Sequence, residues 1–192
     1  TIESGGLLKL NSGSQIMTTG QWNDIIVHGT LQGVGARFDL DTWTDHSDGD
    51  YPDQRHNGIY FMDGSSGGFY RCVLTGVERR DHSAHYYDDW SAIVHASGTV
   101  NLRFQGCDFE SLNTVNGWRT VFGVYLSAET TAIFDDYGTG DSAYSNTFKG
   151  FRTGIYWPFG SGSATITNCR YEDIETNIRI AGNVIRSLTM PV

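Results

Sequence analysis

Positive charge and long hydrophobic runs are what this sequence has least of. Its 192 residues include 13 Lys and Arg against 22 Asp and Glu, for a formal net charge of −9. Nucleic acids and anionic membrane surfaces bind basic faces, so this balance argues against both partners. No apolar run approaches the roughly 18 residues of a membrane helix, and we expect no membrane insertion. A neutral or cationic glycan, or an acidic one met by a local basic cluster, fits the charge better.

Cysteine is scarce and odd in number, with Cys72, Cys107 and Cys169 as its only occurrences. An odd count argues against a disulfide framework, and no zinc-type spacing accompanies it. We interpret the three as small buried hydrophobes. An initiator methionine and a signal-peptide pattern are also missing. We expect residues 1–192 to form a single domain that is a section of a longer chain.

Long helical patterns are missing too, and the 24 glycines would weaken helices. A short phrase recurs instead: a small residue, a variable one, a large apolar one, two variable ones and an apolar one. It stands at residues 29–34, 72–77, 107–112, 146–151 and 169–174. A second, alternating phrase lies between these, centred on Ile16, Ile59, Ile93, Val124, Ile155 and Ile178. Both phrases predict short strands with one buried face.

The spacing of the phrases indicates a solenoid. The last complete repeat, from Asn146 to Cys169, takes 23 residues, too few for a strand–helix–strand unit of about 30. We therefore predict an all-β, right-handed, single-stranded parallel β-helix of about five to six coils. Like residues stack in such a solenoid. The predicted interior rows are the six aliphatic residues of the second phrase, the small residues that open the first, and Leu31, Leu74, Phe109, Phe148 and Tyr171.

Insertions interrupt the period on one flank. Residues 35–57, 78–91 and 113–122 lengthen the same connection in three successive coils, so they should lie side by side. Repeat proteins usually build their binding face from such insertions. A further insertion, residues 130–145, belongs to a different connection.

The three flank insertions are rich in the groups that bind sugars. Each contains one Trp, and aromatic rings stack on sugar C–H faces while planar polar groups pair with hydroxyls. The predicted substrate-binding residues are Trp43, Arg79, Arg80, Tyr86, Tyr87, Trp90 and Trp118. The plainer interpretation is that each Trp covers its own loop.

Carboxylates in the second insertion could support catalysis. Glycoside hydrolysis needs two carboxyl groups, one with a raised pKa, which repulsion between close carboxylates can supply. The predicted catalytic residues are Glu78, Asp81, His85, Asp88 and Asp89. Polysaccharide β-elimination is the alternative, with Arg79, Arg80, His82, His85 and Tyr86 as its candidate base and charge neutraliser. A solvated loop without a reaction also fits this composition.

No metal site is predicted in the active centre. A loose calcium-type loop around Gly49 could involve Asp45, Asp48, Asp50 and Asp53, although a plain acidic turn explains these residues as well.

Outward-facing residues of the strands give two further rows. Beside the aliphatic row the pattern predicts Tyr60, Val94, Tyr125, Tyr156 and Arg179, which we interpret as an oligomer interface in preference to a glycan platform. His95 should then point inward, as a core histidine. On the other strand we predict a surface charge row of Thr75, Glu110, Lys149 and Glu172.

Two stretches, residues 100–110 and 164–178, are very similar to coils of known β-helices. Through them the chain resembles, over residues 16–180, the right-handed parallel β-helix proteins of the pectate-lyase-like superfamily. That fold includes lyases, hydrolases, epimerases and adhesins, so the resemblance implies the fold and not one activity.

Within that superfamily, irregular coils, acidic charge and aromatic-rich flank loops are most similar to bacteriophage tailspike or tail-fibre depolymerase domains. This resemblance implies a homotrimer on the virion tail, outside the cell, that binds and often cleaves capsule or O-antigen polysaccharide. Two alternatives stay open: a non-catalytic structural or adhesive section of a virion or surface fibre, and a fragment of a secreted bacterial polysaccharide lyase.

Overall fold

The computed structural model of the chain describes residues 1–18, 24–41, 58–77, 92–112, 122–127, 129–138, 144–158, 162–180 and 187–189. Nineteen strands follow one another in these ranges, and every ladder between them is parallel. No helix within these ranges is long and apolar enough to cross a membrane.

The strands form three sheets, and each coil contributes one strand to each sheet in turn. Sheet 1 consists of β1 (Leu7–Leu10), β4 (Thr30–Val34), β7 (Ser66–Tyr70), β10 (Asn101–Gln105), β13 (Thr131–Asp135), β16 (Ser163–Ile166) and β19 (Ser187–Thr189). Sheet 2 consists of β2 (Gln15–Met17), β5 (Arg37–Asp41), β8 (Val73–Val77), β11 (Asp108–Leu112), β14 (Thr147–Lys149) and β17 (Arg170–Glu172). Sheet 3 consists of β3 (Ile25–Val27), β6 (Ile59–Phe61), β9 (Ala92–Ala96), β12 (Phe122–Leu126), β15 (Thr153–Trp157) and β18 (Thr176–Ile180).

This order makes six coils of a right-handed parallel β-helix, with β19 as the first strand of a seventh, and it confirms the predicted fold. Three corners connect the sheets. The first corner leads from sheet 1 to sheet 2, the second from sheet 2 to sheet 3, and the third from sheet 3 back to sheet 1.

The interior is a set of aromatic stacks that run along the helix axis. Phe104 lies between Phe69 and Phe134, with ring centroids 5.1 and 5.0 Å away. Phe148 lies in the same way between Phe109 and Tyr171, at 4.5 and 5.5 Å. Parallel strands in register place like residues above like, and burial of such rings is the main source of the stability of the core.

The predicted aliphatic row is correct in four of its six members. In the structure the row consists of Ile25, Ile59, Val94, Val124, Ile155 and Ile178. Ile16 instead belongs to sheet 2, where it pairs with Phe38. In β9 the residue in register is Val94, although Ile93 is also fully buried.

The predicted row of small residues begins at the wrong strand. Gly29 precedes a strand of sheet 1, and the true first member above Cys72 is Ala36, whose carbonyl accepts the Val73 N–H. Accordingly Phe38, and not Leu31, pairs with Leu74. The cause is local: two strands of similar pattern follow each other across Gly35 and Ala36 alone. The insertions are correspondingly shorter, since β5 and β13 lie inside the predicted blocks 35–57 and 130–145.

The cysteines are free and form part of the interior, as predicted. Cys72 and Cys107 are fully buried, and the Cys107 thiol donates a hydrogen bond to the Phe69 carbonyl at 3.3 Å. Burial raises the pKa of Cys107 and raises that of Cys169 to about 12, so both remain neutral thiols.

Candidate functional site

The second corner is where the insertions attach. Its strands β5, β8 and β11 are neighbours in sheet 2 and end at Asp41, Val77 and Leu112. The chain re-enters sheet 3 in β6, β9 and β12, which are again neighbours. Three insertions therefore leave from adjacent strand ends and return to adjacent strands. The prediction that they share one connection on one flank is confirmed.

The residues predicted to act in these insertions lie outside the described residues, and their roles stay predictions. They are Trp43, Glu78, Arg79, Arg80, Asp81, His85, Tyr86, Tyr87, Asp88, Asp89, Trp90 and Trp118, together with the calcium candidates Asp45, Asp48, Asp50 and Asp53. Within the described ranges, no group of three or more His, Cys, Asp or Glu side chains could hold a metal ion.

An outer row of sheet 3 lies on the strands to which the insertions return, and in β9, β12, β15 and β18 its member is the fourth of five residues. The aromatic row consists of Tyr60, His95, Tyr125, Tyr156 and Arg179, one residue from each of five successive coils. At ~4.8 Å per strand these five positions span about 19 Å. The row gives the outer face of sheet 3 a long polar-aromatic strip.

His95 occupies the place predicted for Val94, which is a correction. The pattern placed His95 inside and Val94 outside, but Val94 is fully buried and His95 stacks on Tyr60. The reason is that Ile93 stands at the position that Gly123 and Gly154 occupy in β12 and β15, so β9 has a large apolar residue one position before the true row member.

The rings of the aromatic row contact one another through their faces and edges. Tyr60 and His95 stack with centroids 4.3 Å apart and planes 3° apart. Tyr125 lies 5.8 Å from His95 and meets Tyr156 edge to face at 5.5 Å. The Arg179 guanidinium lies 5.2 Å from the centre of the Tyr156 ring. Mutual stacking holds these rings against one another on the outer face of sheet 3.

Phe122 extends the row toward the corner. It is the first residue of β12, is almost fully buried, and stacks on Tyr156 at 4.6 Å. Tyr125 also contacts it, at 5.9 Å. Burial raises the pKa of Tyr125 to about 12, and the neighbouring Tyr156 adds to the rise. At neutral pH Tyr125 is therefore an un-ionised phenol that can donate and accept hydrogen bonds.

Sheet 2 presents the predicted charge row on its outer face. Thr75, Glu110, Lys149 and Glu172 stack in register, as predicted, and Asp39 extends the row by one coil. Lys149 Nζ lies 3.0 Å from Glu110 Oε1. Such exposed pairs contribute little stability.

Asp39 is held as an anion by its neighbours. It accepts hydrogen bonds from Gln15 at 2.6 Å, from Arg37 at 2.8 Å and from the Thr75 hydroxyl. Desolvation pushes its pKa upward, but these hydrogen bonds outweigh that effect and lower the pKa. A carboxylate with a lowered pKa is a poor general acid, so Asp39 stabilises the surface and is not a proton donor.

The pKa of Asp108 shifts in the opposite direction, and no sequence pattern predicts this shift. Burial raises its pKa, the Thr147 hydrogen bond opposes the rise, and repulsion from Glu110 and Glu172 adds to it. Asp108 and Glu110 lie on the same face of β11, about 6.6 Å apart by strand rise. Glu110 also pairs with Lys149 at 3.0 Å, whereas the carboxylate neighbours of Asp108 disfavour its charged form.

The described site thus belongs to a parallel β-helix that has insertions at its second corner and an aromatic row on its third sheet. No protein-family model, no curated protein and no solved structure matches the chain.

Proposed function

We propose that this β-helix binds an extended bacterial surface polysaccharide, a capsule or an O-antigen, as the receptor-binding section of a phage tailspike or tail fibre on the virion. The aromatic row on the outer face of sheet 3 is the observation that carries the proposal. It lies in the sheet to which the three insertions return, and aromatic, arginine and carboxylate side chains of these insertions were predicted to contact sugars.

The chemistry of the row suits a polymer rich in hydroxyl groups. Tyr125 offers an un-ionised phenol, Tyr60 and Tyr156 are half-buried, and Arg179 adds a cation at one end. Rings already half-buried in the chain offer less apolar area than a protein interface uses, but their mutual stacking fixes them before a ligand binds. A straight row along the axis fits a linear chain better than a small ligand.

Depolymerisation would require the second insertion. Glu78, Asp81, Asp88 and Asp89, with His85, are the proposed acid–base groups, and hydrolysis would shorten the polysaccharide at this corner. If the chain is instead a lyase of the secreted bacterial type, its products carry an unsaturated uronate, which absorbs ultraviolet light where hydrolysis products do not.

The test is binding and chain shortening on a panel of capsular and O-antigen polysaccharides. Tyr125→Ala and Tyr156→Ala should each weaken binding about tenfold, as loss of a central aromatic contact does. Tyr125→Phe separates the hydroxyl group from the ring. Tyr70→Ala is the matched control, because Tyr70 lies in sheet 1, away from the second corner. Unchanged binding by Tyr125→Ala and Tyr156→Ala would refute a role for the row.

A subunit interface is the second candidate for the same row. Tyr, His and Arg are typical of protein interfaces, and a row parallel to the axis could meet its copies in a homotrimer. Light scattering of the wild type and of Tyr125→Ala decides between the two. A trimer that the substitution dissociates, with polysaccharide binding unchanged, would assign the row to assembly.

A further inference from the structure

The first corner of coil 5 has two described segments, residues 136–138 and 144–146, that the proposed function does not use, and we call this pair of segments the hairpin. Tyr137 and Tyr144 form an antiparallel bridge, in which each backbone N–H donates to the other residue's carbonyl at 2.9 Å. Directly opposed residues of an antiparallel pair project their side chains to the same side, about 5.5 Å apart. The two rings are 36% and 52% exposed. They form a two-ring surface open to solvent.

The hairpin packs on Gly106 of coil 4. Its φ is +59°, in the left-handed region, and a Cβ there would lie 2.7 Å from the Tyr144 carbonyl oxygen and 2.8 Å from the Tyr137 Cβ. Only glycine allows the hairpin to pack this closely over the corner. The hairpin therefore extends back over coil 4 toward coil 3.

The tyrosine rings of the hairpin contact Arg71 of coil 3. Its Cζ is 4.4 Å from the centre of the Tyr144 ring and 5.9 Å from that of Tyr137. Arg71 has a φ of +51°, while the equivalent corner positions of the adjacent coils are Gly35 and Gly106. A left-handed conformation is unfavourable for arginine, and such outliers cluster at functional sites. The strain is tolerated at the one corner where the side chain meets two exposed rings.

Among the described residues, no carboxylate forms an ion pair with the guanidinium of Arg71. The nearby acidic residues have other partners: Asp135 pairs with Arg103 at 2.7 Å, and Asp136 accepts from Asn168 at 2.7 Å. An arginine stacked on a ring keeps its in-plane N–H donors free, and their fork matches a carboxylate.

We propose that Arg71, Tyr137 and Tyr144 form a binding site for a carboxylate-bearing sugar, a hexuronate unit of a polysaccharide. The fork of Arg71 would bind the carboxylate while the C–H face of the sugar packs on the exposed tyrosine rings. The site lies at the first corner, across sheet 2 from the aromatic row, and it does not rest on the function proposed for that row. The sequence analysis predicted the insertion at residues 130–145, but it did not predict a binding site there.

The test is an NMR titration of the isotope-labelled chain with a tetrasaccharide of alternating glucuronate and N-acetylglucosamine. Saturable shifts are expected at the amides of Arg71, Gly106, Tyr137 and Tyr144. A carboxyl-reduced tetrasaccharide of the same length should bind about tenfold more weakly, because the charge-assisted pair is lost. A glutamate-rich peptide supplies carboxylates without the sugar face, and it should also bind more weakly.

Two substitutions at one position separate binding from folding. Arg71→Gly places in coil 3 the residue that coils 2 and 4 already use there, so the corner should fold and binding should be lost. Arg71→Lys keeps the charge without the fork and should weaken binding about fivefold. Arg37→Lys, at the exposed arginine paired with Asp39, is the control and should bind as the wild type does.

Each remaining outcome overturns the proposal. No saturable shift with the uronate tetrasaccharide, or equal binding of its carboxyl-reduced form, would refute the carboxylate site. Equal affinity for the glutamate-rich peptide would refute a sugar as its ligand. Wild-type affinity in a folded Arg71→Gly variant would refute the role of Arg71.

Discussion

The first and second corners lie at opposite ends of the same strands of sheet 2. Each corner is long in some coils and short in others, and in a coil whose first corner is long the second corner is short. In coils 2 to 4 the first corner takes two residues, as in Gly35 with Ala36, whereas residues 42–58, 78–91 and 113–121 form the second. In coil 5 the relation reverses: residues 136–146 form the first corner and residues 150–152 the second.

Backbone hydrogen bonds along the axis explain why the first corner stays short. The residue after each left-handed position accepts the N–H of the next coil, as Cys72 does from Asp108 at 2.9 Å and Cys107 from Thr147 at 2.8 Å. The left-handed residue donates onward as well, as Arg71 does to Gln105 at 2.9 Å. An added residue would displace both groups and leave buried backbone unpaired.

Coil 5 has a longer first corner because Asn146 compensates for it. Its side-chain oxygen accepts the Cys107 N–H at 2.9 Å, and its Nδ2 donates to the carbonyls of Phe104 and Asp135 at 3.1 and 3.0 Å. One buried amide thus satisfies three backbone groups around the insertion. The comparison teaches that a corner can grow only where its backbone groups find other partners.

The largest effect should come from removing that amide. Asn146→Ala leaves two carbonyls and one N–H without their partner in a fully buried setting, and we expect a loss of about 3 kcal/mol in the free energy of unfolding. Urea denaturation measures it. Asn168→Gly, at an exposed left-handed corner position, should cost about 0.5 kcal/mol or less. Equal losses in the two variants would contradict the role of Asn146.

Crowding at the first corner should give the next largest effect. Gly106→Ala adds a methyl group against the hairpin as well as left-handed strain, and should cost about 2–3 kcal/mol. Gly64→Ala is the matched control: its φ is +78° and no atom lies within 4 Å of the added Cβ. It should therefore show the strain alone, about 1 kcal/mol. If both variants lose the same stability, the hairpin does not pack on Gly106.

The sequence was sufficient for the fold because parallel stacking repeats one pattern in every coil. The row from Cys72 to Cys169 and the charge row from Thr75 to Glu172 were predicted from spacing alone. The errors have local causes. Ile16 and Gly29 were assigned to the wrong strands because sheet 1 repeats less distinctly: one of its interior rows alternates between large and small residues, Leu31, Gly67, Leu102 and Ala132.

The candidate sites were less predictable because they depend on contacts between coils. The prediction for His95 was wrong because β9 has Ile93 where β12 and β15 have glycine, and the alternation of apolar residues alone does not show which of Ile93 and Val94 is the row member. The site at Arg71 combines residues of coils 3 and 5 that lie more than 60 positions apart in the sequence. Its one sequence signal is an arginine between corner glycines, and that signal is visible only after the coils are aligned.

Relief of backbone strain at Arg71 should slightly increase the free energy of unfolding, whereas the substitutions at Asn146 and Gly106 should decrease it. Arg71→Gly removes an unfavourable left-handed arginine but also its contact with Tyr144, and we expect a net gain of about 0.5 kcal/mol. Arg71→Ala keeps the strain and loses the contact, so it should lose about 0.5–1 kcal/mol. Thermal or urea unfolding of both variants measures the difference. A destabilised Arg71→Gly would show that the contact outweighs the strain.

The smallest effects concern two carboxylates of sheet 2, and they should depend on pH with opposite signs. Because the pKa of Asp39 is lower in the folded chain, its stabilisation is present above the ordinary value of 3.8 and is lost as the pH falls through the folded value. Asp39→Asn should therefore lower the urea midpoint at pH 7, and the gap to the wild type should close in acid.

Because the pKa of Asp108 is raised, its charged form is disfavoured in the folded chain, and the penalty appears as the pH rises above the ordinary value of 3.8. Asp108→Asn should raise the midpoint slightly at pH 7 and change it little at pH 3. The two residues face the same solvent from one sheet, so general charge effects would shift both variants alike. Opposite signs can arise only from their different partners: the hydrogen bonds from Arg37, Thr75 and Gln15 for Asp39, and burial beside Glu110 for Asp108.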